Sequence, residues 1–512
     1  MKSPFFLIPA FLLLLFGFAP ENIEVKQPAF VTDSLDQFIA REMKAWEIPG
    51  LAIAVVKDGK VIVSKGFGVQ ETGTDRKVND ETIFQVASCT KAFTATALAL
   101  LASQKKLSLD DTVRKWLPDF SLYDPLATRQ VTIRDLLCHR IGFQTFQGDF
   151  ANWNSNLSRK QIIGLMAAQK PVYGFRAQYG YCNSAYVAAA EIIPEVTGKT
   201  WDDYVTETFF GPLQMTRTST TSAAIRSDKN ACKPHAKWNG RISAIAYDNI
   251  DNLGPAGSIN SCVKDFSHWL LMQLDSGRYE GKQVVPFPVL QETRKAQTLL
   301  PATPAIFPGM HFQTYGLGWF MADFYGKKII WHNGGADGFL SVACFVPELN
   351  LGFVILTNSD NNNLFTALRY QLLDAYLSLP YRNYSAIFRA SAKRVEAIEQ
   401  KELDGYRKKA DALPALPVDA KEFAGTYENG AYGKMTVAAE GGKLGATFEH
   451  HPKVFGRLEY MGDNTFLCTF NGPMWAYKPA PFRVVNGKVE SITISVNDAV
   501  DKMAYEFRKL PE

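Results

Sequence analysis

The chain has 512 residues, of which 46% are hydrophobic and 21% charged, and its formal net charge is +4. A chain of this length is expected to fold into two or three domains, with enough apolar side chains for a large core. The near-neutral charge, and the absence from the sequence of a basic cluster interleaved with aromatic residues, argue against a protein that binds nucleic acid.

The first twenty residues have the pattern of a secretory signal peptide. Lys2 is followed by an apolar run that begins at Pro4 and ends in the small residues before Pro20. The run is shorter than the roughly 20 apolar residues that a membrane-spanning helix needs. We therefore expect residues 1–20 to be a signal peptide and the protein to be secreted or periplasmic, with an uncleaved membrane anchor as the alternative.

Cysteine and histidine spacing does not indicate a metal site. The seven cysteines are odd in number and widely spaced, which fits neither a disulfide framework nor a zinc site. We expect most of them to be buried as small apolar residues, and the one bridge considered is Cys89–Cys182. His450 and His451 have no partners at metal-ligand spacing, so we expect no metal and no cofactor.

The first elements predict a helix packed on a hairpin. Residues 33–46 carry apolar residues at helical spacing, with Asp33 as the expected N-cap. Two β-branched runs, 51–57 and 60–64, flank Asp58-Gly59, which is a strong hairpin signal. The elements expected next are a long apolar helix from Ser88 to about Ser103, short helices at 107–111 and 131–139, a loop-rich stretch at 141–180, and a helix at about 184–197.

The second half predicts a sheet and then a separate β module. The expected elements are strands at 315–320, 328–331, 341–346 and 351–356, a helix at 364–379, a charged helical segment at 386–411, and eight short β runs after Pro417. The eight runs predict a small antiparallel barrel or sandwich. We expect a first domain at 28–380, a helical linker at 381–415 and a β-barrel domain at 416–512.

Three short signals carry chemistry when they are taken together. Ser-x-x-Lys occurs at Ser88, Ser103 and Ser261, but only Ser88 opens a helix that reads as buried. Residues i and i+3 share a helix face, so Lys91 would lie beside the Ser88 hydroxyl and take its proton.

The second and third signals follow downstream. Tyr-x-Asn has its best setting at Tyr181, between an aromatic-rich loop and a helix, with Tyr247 as the chief rival. A basic residue followed at i+2 by glycine lies between expected strands at His332, where Gly334 and Gly335 would let a ligand approach the backbone.

The order Ser88, Tyr181, His332 matches the three-motif pattern of serine β-lactamases and penicillin-binding proteins. Residues 28–380 resemble the class C β-lactamase-like serine hydrolases, and the C-terminal part resembles the small lipocalin-like β domain often appended to them. Supporting phrases are the stretches 132–139, 179–186, 315–319 and 356–358. The resemblance implies an α+β fold, in which an antiparallel sheet is flanked by helices and the site lies between the sheet and a helical lobe.

The resemblance also implies catalytic roles. Ser88 would be the acylated nucleophile, and Lys91 and Tyr181 would share its proton and return it to the leaving group. Backbone N–H groups of Ser88 and Gly335 would form the oxyanion hole, where the loss of one donor costs roughly 10²- to 10³-fold in rate.

The remaining implied roles concern substrate binding. Asn183 would bind a substrate amide, and His332 would replace the family's usual lysine, with its proton tuning Tyr181 or holding an anionic group. A histidine is only partly charged at neutral pH, since its reference pKa is about 6.5. The replacement weakens the case for a true β-lactamase or carboxypeptidase, and relatives with His at this position include esterases and D-amino-acid peptidases. Asn183 as a helix cap and His332 as a structural residue are the alternatives, and we expect His139 to be structural.

The sequence therefore predicts an exported serine hydrolase that acts on amide, β-lactam or ester bonds of a small molecule or peptide through an acyl-enzyme on Ser88, as β-lactamases and D-alanyl-D-alanine peptidases do. The alternatives within the family are an esterase or a D-aminopeptidase. The alternative outside the enzyme class is a penicillin-recognising sensor or a scaffold with an inactive site. The natural substrate, the oligomeric state and the role of residues 418–512 stay open.

Overall fold

The computed structural model describes residues 27–238, 240–301, 307 and 309–511. The expected signal peptide, residues 1–20, lies outside these ranges. Within them, no helix combines the length and the apolar character needed to cross a membrane.

The helices and strands are numbered along the chain. The α-helices are α1 (Leu35–Trp46), α2 (Lys91–Ser103), α3 (Val113–Trp116), α4 (Pro125–Gln130), α5 (Ile133–Leu137), α6 (Asp149–Asn152), α7 (Arg159–Leu165), α8 (Asn183–Ala190), α9 (Ile192–Thr197), α10 (Trp201–Val205), α11 (Ser222–Ser227), α12 (Gly254–Gly257), α13 (Val263–Leu274), α14 (Phe287–Thr293), α15 (Leu364–Tyr376), α16 (Tyr384–Asp411) and α17 (Ala420–Phe423). The strands are β1 (Gly50–Lys57), β2 (Lys60–Gly68), β3 (Phe84–Gln85), β4 (His235–Trp238), β5 (Arg241–Ala244), β6 (Asn260–Ser261), β7 (Arg278–Tyr279), β8 (Lys282–Gln283), β9 (Thr298–Leu299), β10 (Gln313–Tyr315), β11 (Phe320–Phe324), β12 (Lys327–Ala336), β13 (Phe339–Val346), β14 (Leu351–Thr357), β15 (Gly425–Asn429), β16 (Gly433–Glu440), β17 (Lys443–Phe448), β18 (His451–Tyr460), β19 (Thr465–Phe470), β20 (Tyr477–Val485), β21 (Lys488–Ile494) and β22 (Tyr505–Lys509).

An eight-stranded antiparallel sheet forms the centre of the first domain, in the order β2-β1-β14-β13-β12-β11-β10-β9. Strand β1 is apolar on both faces: Ala52 and Ala54 join the core on the side of α2 and α13, and Ile53 and Val55 join the core on the side of α1 and α15. A strand that reads as a continuous apolar run is buried on both faces. The predicted α+β architecture is confirmed.

Helix α2 is buried on every side. All residues from Lys91 to Leu101 are buried, and Phe93 stacks on Trp269 of α13 at a ring distance of 3.8 Å. A helix that is apolar all round belongs inside a core rather than at a surface. Its first residue, Lys91, is therefore held in a dry interior.

The C-terminal part is a closed barrel of the eight strands β15–β22, in which each strand pairs with the next and β22 pairs back with β15. All eight β runs expected after Pro417 are present, and the predicted barrel is confirmed. The charged segment expected at 386–411 is the single 28-residue helix α16, which joins the two parts.

Several local expectations were wrong. The N-cap of α1 is Ser34 rather than Asp33, and it makes no side-chain cap hydrogen bond. Residues 107–111 form turns, with the helix starting only at Val113. The strand expected at 315–320 is broken by a turn in which Gly318 has φ +75°, because the chain folds back between β10 and β11. Cys89 and Cys182 are not bridged, and all seven cysteines are free and buried.

Gly318 gives a test of how the sheet packs on helix α2. A Cβ at Gly318 would lie 2.6 Å from the backbone oxygen of Lys91, whereas a Cβ at Gly59, which has φ +76°, would meet nothing within 4 Å. We expect Gly59→Ala to lower the free energy of unfolding by about 1–2 kcal/mol through left-handed strain alone. Gly318→Ala should cost roughly 1–3 kcal/mol more through overpacking. Urea unfolding of both variants measures the difference, and equal losses would show that the turn does not press on α2.

Candidate active site

Ser88 lies on a short 3₁₀ turn, Ala87–Thr90, between β3 and α2. Ala87, the residue before it, has φ +47°, a left-handed conformation that a non-glycine residue adopts only with strain. The turn leaves Ser88 partly exposed on the wall of a cavity of about 670 Å³, although its neighbours are buried. The backbone therefore presents one hydroxyl from an otherwise closed core.

The buried side chain of Lys91 reaches Ser88 from the protein interior. Its Nζ lies 3.3 Å from Ser88 Oγ, and it donates to Asn183 Oδ1 at 2.7 Å and to the carbonyl oxygen of Ala256 at 2.8 Å. Burial lowers the pKa of Lys91 from 10.5 to about 7, and the nearby Asp149 opposes this shift. A substantial fraction of this amine is uncharged at neutral pH and free to accept a proton.

Tyr181 lies over the same amine. Lys91 Nζ is 4.5 Å from the centre of the Tyr181 ring, and the phenol is buried. Burial raises the pKa of Tyr181 well above 10, and its hydrogen bond with Ser88 offsets only part of this rise. The phenol stays protonated at neutral pH, so it can donate or relay a proton but does not act as the resting base.

His332 is on β12 and is uncharged. Its Nδ1 lies 2.6 Å from the carbonyl oxygen of Asn333, to which it donates, and its Nε2 therefore accepts from the Tyr315 hydroxyl at 3.0 Å. Burial, and then the charge of Lys91, lower the pKa of His332 to about 3. The expectation that a protonated His332 supplies positive charge beside Tyr181 is therefore wrong, because the ring is buried among aromatic side chains and near the charge of Lys91.

The two glycines after His332 have different surroundings. A Cβ at Gly334 would lie 2.2 Å from both the Val86 carbonyl oxygen and Ser341 Oγ, so β12 packs tightly against the turn that carries Ser88. A Cβ at Gly335 would meet only Leu340, at 3.5 Å. Both glycines line the cavity with Ser88, and the oxyanion-hole role of the Gly335 N–H stays a prediction.

The competing signals lie in ordinary structural settings. Ser103 donates to the Leu100 carbonyl at the end of α2, and Ser261 bonds with Thr218. Tyr247 donates to the Cys232 carbonyl and does not line the cavity. The residues that the structure brings together are Ser88, Lys91, Tyr181, Asn183, His332, Gly334 and Gly335.

His139 supports the tyrosine from behind. It was expected to be structural, and its Nδ1 accepts from the Cys182 backbone N–H at 3.0 Å, one residue beyond Tyr181. Its ring packs 4.4 Å from that of Tyr181, and burial lowers its pKa well below 6.5. A neutral imidazole therefore fixes the segment that carries Tyr181.

Asp149 is a site residue that no sequence signal had indicated. Its Oδ2 accepts from Asn183 Nδ2 at 2.6 Å, and burial raises its pKa well above 3.8. This bond turns the Asn183 carbonyl oxygen toward Lys91. Asp149 lies in the loop-rich stretch 141–180, whose general placement near a site was the one available hint.

The cavity has walls from both domains and from α16. The lining residues include Phe146, Trp153, Tyr179, Phe320 and Phe365 from the first domain, Glu399 from α16, and Pro473, Met474, Asn497, Ala499 and Val500 from the barrel. Lys237 also lines it, but its amine pairs with Glu396 and Glu47. In the part of the chain that the structure describes, no group of three or more His, Cys, Asp or Glu side chains is placed to hold a metal ion.

A serine and a buried lysine one helical turn apart, a tyrosine beside them and an antiparallel sheet alongside define the serine hydrolase fold of penicillin-binding proteins and β-lactamases. A profile of the beta-lactamase family matches residues 35–377, and the chain belongs to this family. A profile of a domain of unknown function, DUF3471, matches residues 407–509.

Individual proteins are similar over most of the chain. The unguisins hydrolase ungD of Aspergillus violaceofuscus is 27% identical, with 84% of this chain and 80% of that protein covered. The octameric penicillin-binding protein homologue from Pyrococcus abyssi has a TM-score of 0.61 at 20% identity over 93% of this chain and 100% of its own. The D-amino acid amidase from Ochrobactrum anthropi has a TM-score of 0.55 at 20% identity over 67% of this chain and 96% of its own.

The pKa of Lys91 predicts how Ser88 reactivity depends on pH. Lys91 must lose its proton before it can accept one from Ser88, and burial lowers its pKa to about 7. The rate at which a fluorophosphonate labels Ser88 should therefore rise about tenfold per pH unit below pH 7 and level off above about pH 8. His332→Gln should leave this inflection in place, since the pKa of His332 is about 3. A His332→Gln variant that moves the inflection would make the imidazole, and not Lys91, the titrating group.

Proposed function

We propose that this protein is a serine hydrolase that cleaves amide or ester bonds through an acyl-enzyme on Ser88. The observation that carries the proposal is the buried Lys91 amine, which lies 3.3 Å from Ser88 Oγ with a pKa lowered to about 7. Such an amine activates a hydroxyl nucleophile without a separate histidine. Tyr181, which stays protonated, is placed to pass a proton to the leaving group.

The charges of the site favour substrates that do not present a carboxylate to β12. The family's usual lysine is replaced by His332, which is neutral, and the cavity-lining Lys237 is already paired with Glu396. Aromatic side chains form much of the remaining wall. We therefore favour amides and esters with apolar groups over penicillins and over peptides that end in a free carboxylate at this position.

The names of two similar proteins support hydrolysis as the reaction. One relative is a hydrolase of unguisins and one structural neighbour is a D-amino acid amidase. Both names describe hydrolases, and the second describes cleavage of an amide. They support amide hydrolysis as the first reaction to be tested on this chain, with a small molecule or peptide as substrate.

We also propose that the protein is exported. This proposal is supported by the pattern of residues 1–20 alone, a positive residue followed by a short apolar run. N-terminal sequencing of the protein recovered from its native host tests it, since a chain that retains Met1 and stays inside the cell contradicts export.

The acyl-enzyme is tested with three substrates and one substitution. The protein and its Ser88→Ala variant are treated with a p-nitrophenyl ester, a D-amino acid amide and a fluorescent penicillin. We expect turnover of the ester or amide by the wild type and a loss of at least about 10³-fold in Ser88→Ala, since removal of the nucleophile removes the covalent route. Equal turnover by both proteins contradicts the proposal, and stable penicillin labelling without turnover would favour a sensor.

The neutral charge at position 332 is tested by a pair of variants. His332→Lys should raise kcat/KM for a penicillin or a D-alanyl peptide by roughly tenfold, or about 1.4 kcal/mol, because it restores a cation that can meet the substrate carboxylate. His332→Gln, which stays neutral, is the matched control and should leave the preference unchanged. An unchanged preference in His332→Lys would show that residue 332 does not meet this part of the substrate.

A further inference from the structure

Residues 148–150 join the catalytic groups to the C-terminal barrel. The chain turns at Gly148, which has a left-handed φ of +94°, and the next two side chains have different surroundings. Asp149 lines the catalytic cavity, whereas Phe150 belongs to the hydrophobic core of the barrel. One short loop of the first domain, which leads through Gly148 into helix α6, therefore contacts both the Ser88 site and the interior of the other domain.

Phe150 enters the barrel as an apolar plug. It is only 1% exposed, and its ring packs against five aromatic side chains of the barrel. Their ring centres lie 4.6 to 6.2 Å away, and they belong to Tyr432, Trp475, Tyr505, Phe448 and His451. A buried aromatic side chain with this many aromatic neighbours is a strong anchor for the backbone that carries it.

Asp501 of the barrel holds the backbone of the same loop. Its Oδ2 accepts from the N–H groups of Gly148 and Phe150, at 3.0 and 3.1 Å, and from the Tyr505 hydroxyl at 2.6 Å. The Gly148 N–H also donates to the Tyr505 hydroxyl at 3.0 Å. Hydrogen bonds that end on a carboxylate are stronger than those between neutral groups, so they fix the residue between the two donors, which is Asp149.

Asp149 transmits this placement to the catalytic lysine. It accepts from Asn183 Nδ2 at 2.6 Å, and Asn183 Oδ1 accepts from Lys91 Nζ at 2.7 Å. An amide whose nitrogen is bound to a carboxylate must present its oxygen on the other side, and that oxygen holds Lys91 within reach of Ser88.

We propose that the barrel positions the catalytic lysine, with Phe150 as the plug, Asp501 as the clamp, and Asp149 and Asn183 as the connection to Lys91. This inference rests on the proposed function. Phe150 and Asp501 are positioning residues, since neither touches the reacting atoms. The barrel on this view is part of the machinery that sets the geometry of Ser88 activation, and it does more than form a wall of the cavity.

The test compares four variants of the full chain. Phe150→Ala removes the plug, and Phe150→Leu refills part of the space. In Asp501→Asn the amide nitrogen replaces one of the two carboxylate oxygens. It then faces either the Gly148 and Phe150 N–H groups or the Met503 N–H, which donates to Asp501 Oδ1 at 2.9 Å, so one of these sites loses its acceptor. Asn156→Ala is the control, because the hydrogen bonds of Asn156 go to His450 and Glu449 across the same interface and not to residues 148–150.

The kinetic readout is turnover of a short and a long p-nitrophenyl ester. We expect Phe150→Ala and Asp501→Asn to lower kcat by about 10²-fold, with KM within about threefold and the same loss on both esters, because a displaced lysine affects the chemical step of each. Phe150→Leu should recover at least about tenfold of the loss, and Asn156→Ala should stay within about twofold of wild type. Wild-type kcat in the folded Phe150→Ala and Asp501→Asn variants overturns the inference. So does faster turnover of the long ester alone, which would make the barrel a steric cover only.

A spectroscopic readout decides the matter without turnover. With ¹³C-labelled lysine, the side-chain resonance assigned to Lys91 should move in Phe150→Ala and Asp501→Asn and stay in place in Asn156→Ala. An unmoved resonance in both loop variants overturns the inference even where the protein is destabilised but folded. If the wild-type protein neither reacts with the esters nor labels at Ser88, the proposed function fails, and the resonance alone then tests the positioning.

Discussion

The burial of the Lys91 amine is the constraint on which the catalytic site depends. Removing an ammonium group from water costs several kcal/mol, roughly, even after the surroundings relax. Helix α2 is buried from Lys91 to Leu101, so the side chain has no route by which its end could reach solvent. The Asn183 and Ala256 oxygens and the Tyr181 ring face offset part of the cost. The remainder appears as the lowered pKa that makes the amine a base.

The same burial limits the charge that the rest of the site can carry. The charge of Lys91 is one reason why the pKa values of His139 and His332 are both lowered. The two imidazoles therefore stay neutral and serve as hydrogen-bonding supports for Tyr181 and β12. Tyr181 stays a phenol because burial opposes its anion. Among Lys91, Tyr181 and His332, Lys91 is the group whose pKa, about 7, suits a base at neutral pH. These pKa values favour direct transfer of the proton from Ser88 to Lys91.

The sequence was sufficient for the scaffold and for the groups that sit on regular elements. The apolar run of α2 predicted a buried lysine beside Ser88, and the short β runs after Pro417 predicted all eight barrel strands. The neutral state of His332 was not predictable, because it depends on the burial of the ring and on the nearby charge of Lys91, which only the assembled fold brings together. Asp149 has no periodic pattern around it, so its bond to Asn183 emerges only from the packing of the loop.

Contacts between residues that are far apart in the sequence could not be predicted, for the same reason. Asp501 meets Gly148 across 353 positions of sequence, and the turn in which Asp501 lies has no signal that pairs it with the loop. In the sequence Phe150 is one more aromatic residue of a loop-rich stretch, although its ring packs into the core of the barrel. Local sequence patterns specify elements and their buried faces, whereas which loop enters which core is decided by the assembled fold.

The two buried carboxyl groups of this interface, Asp149 and Asp501, lower the free energy of unfolding when they are ionised. Burial raises the pKa of Asp501 to about 6 and that of Asp149 well above 3.8, and the charge of Asp501 adds to the rise at Asp149. Between about pH 4 and pH 6 these two groups hold protons in the folded protein that they release in the unfolded chain, so their contribution to the free energy of unfolding falls as pH rises through this range. The carboxyl groups nevertheless satisfy the loop N–H groups and the Asn183 amide, which would otherwise be buried without acceptors. Without the barrel, the Phe150 ring and the Gly148 N–H would lose these partners, so on the proposed role of the barrel the placement of Asp149 depends on both domains.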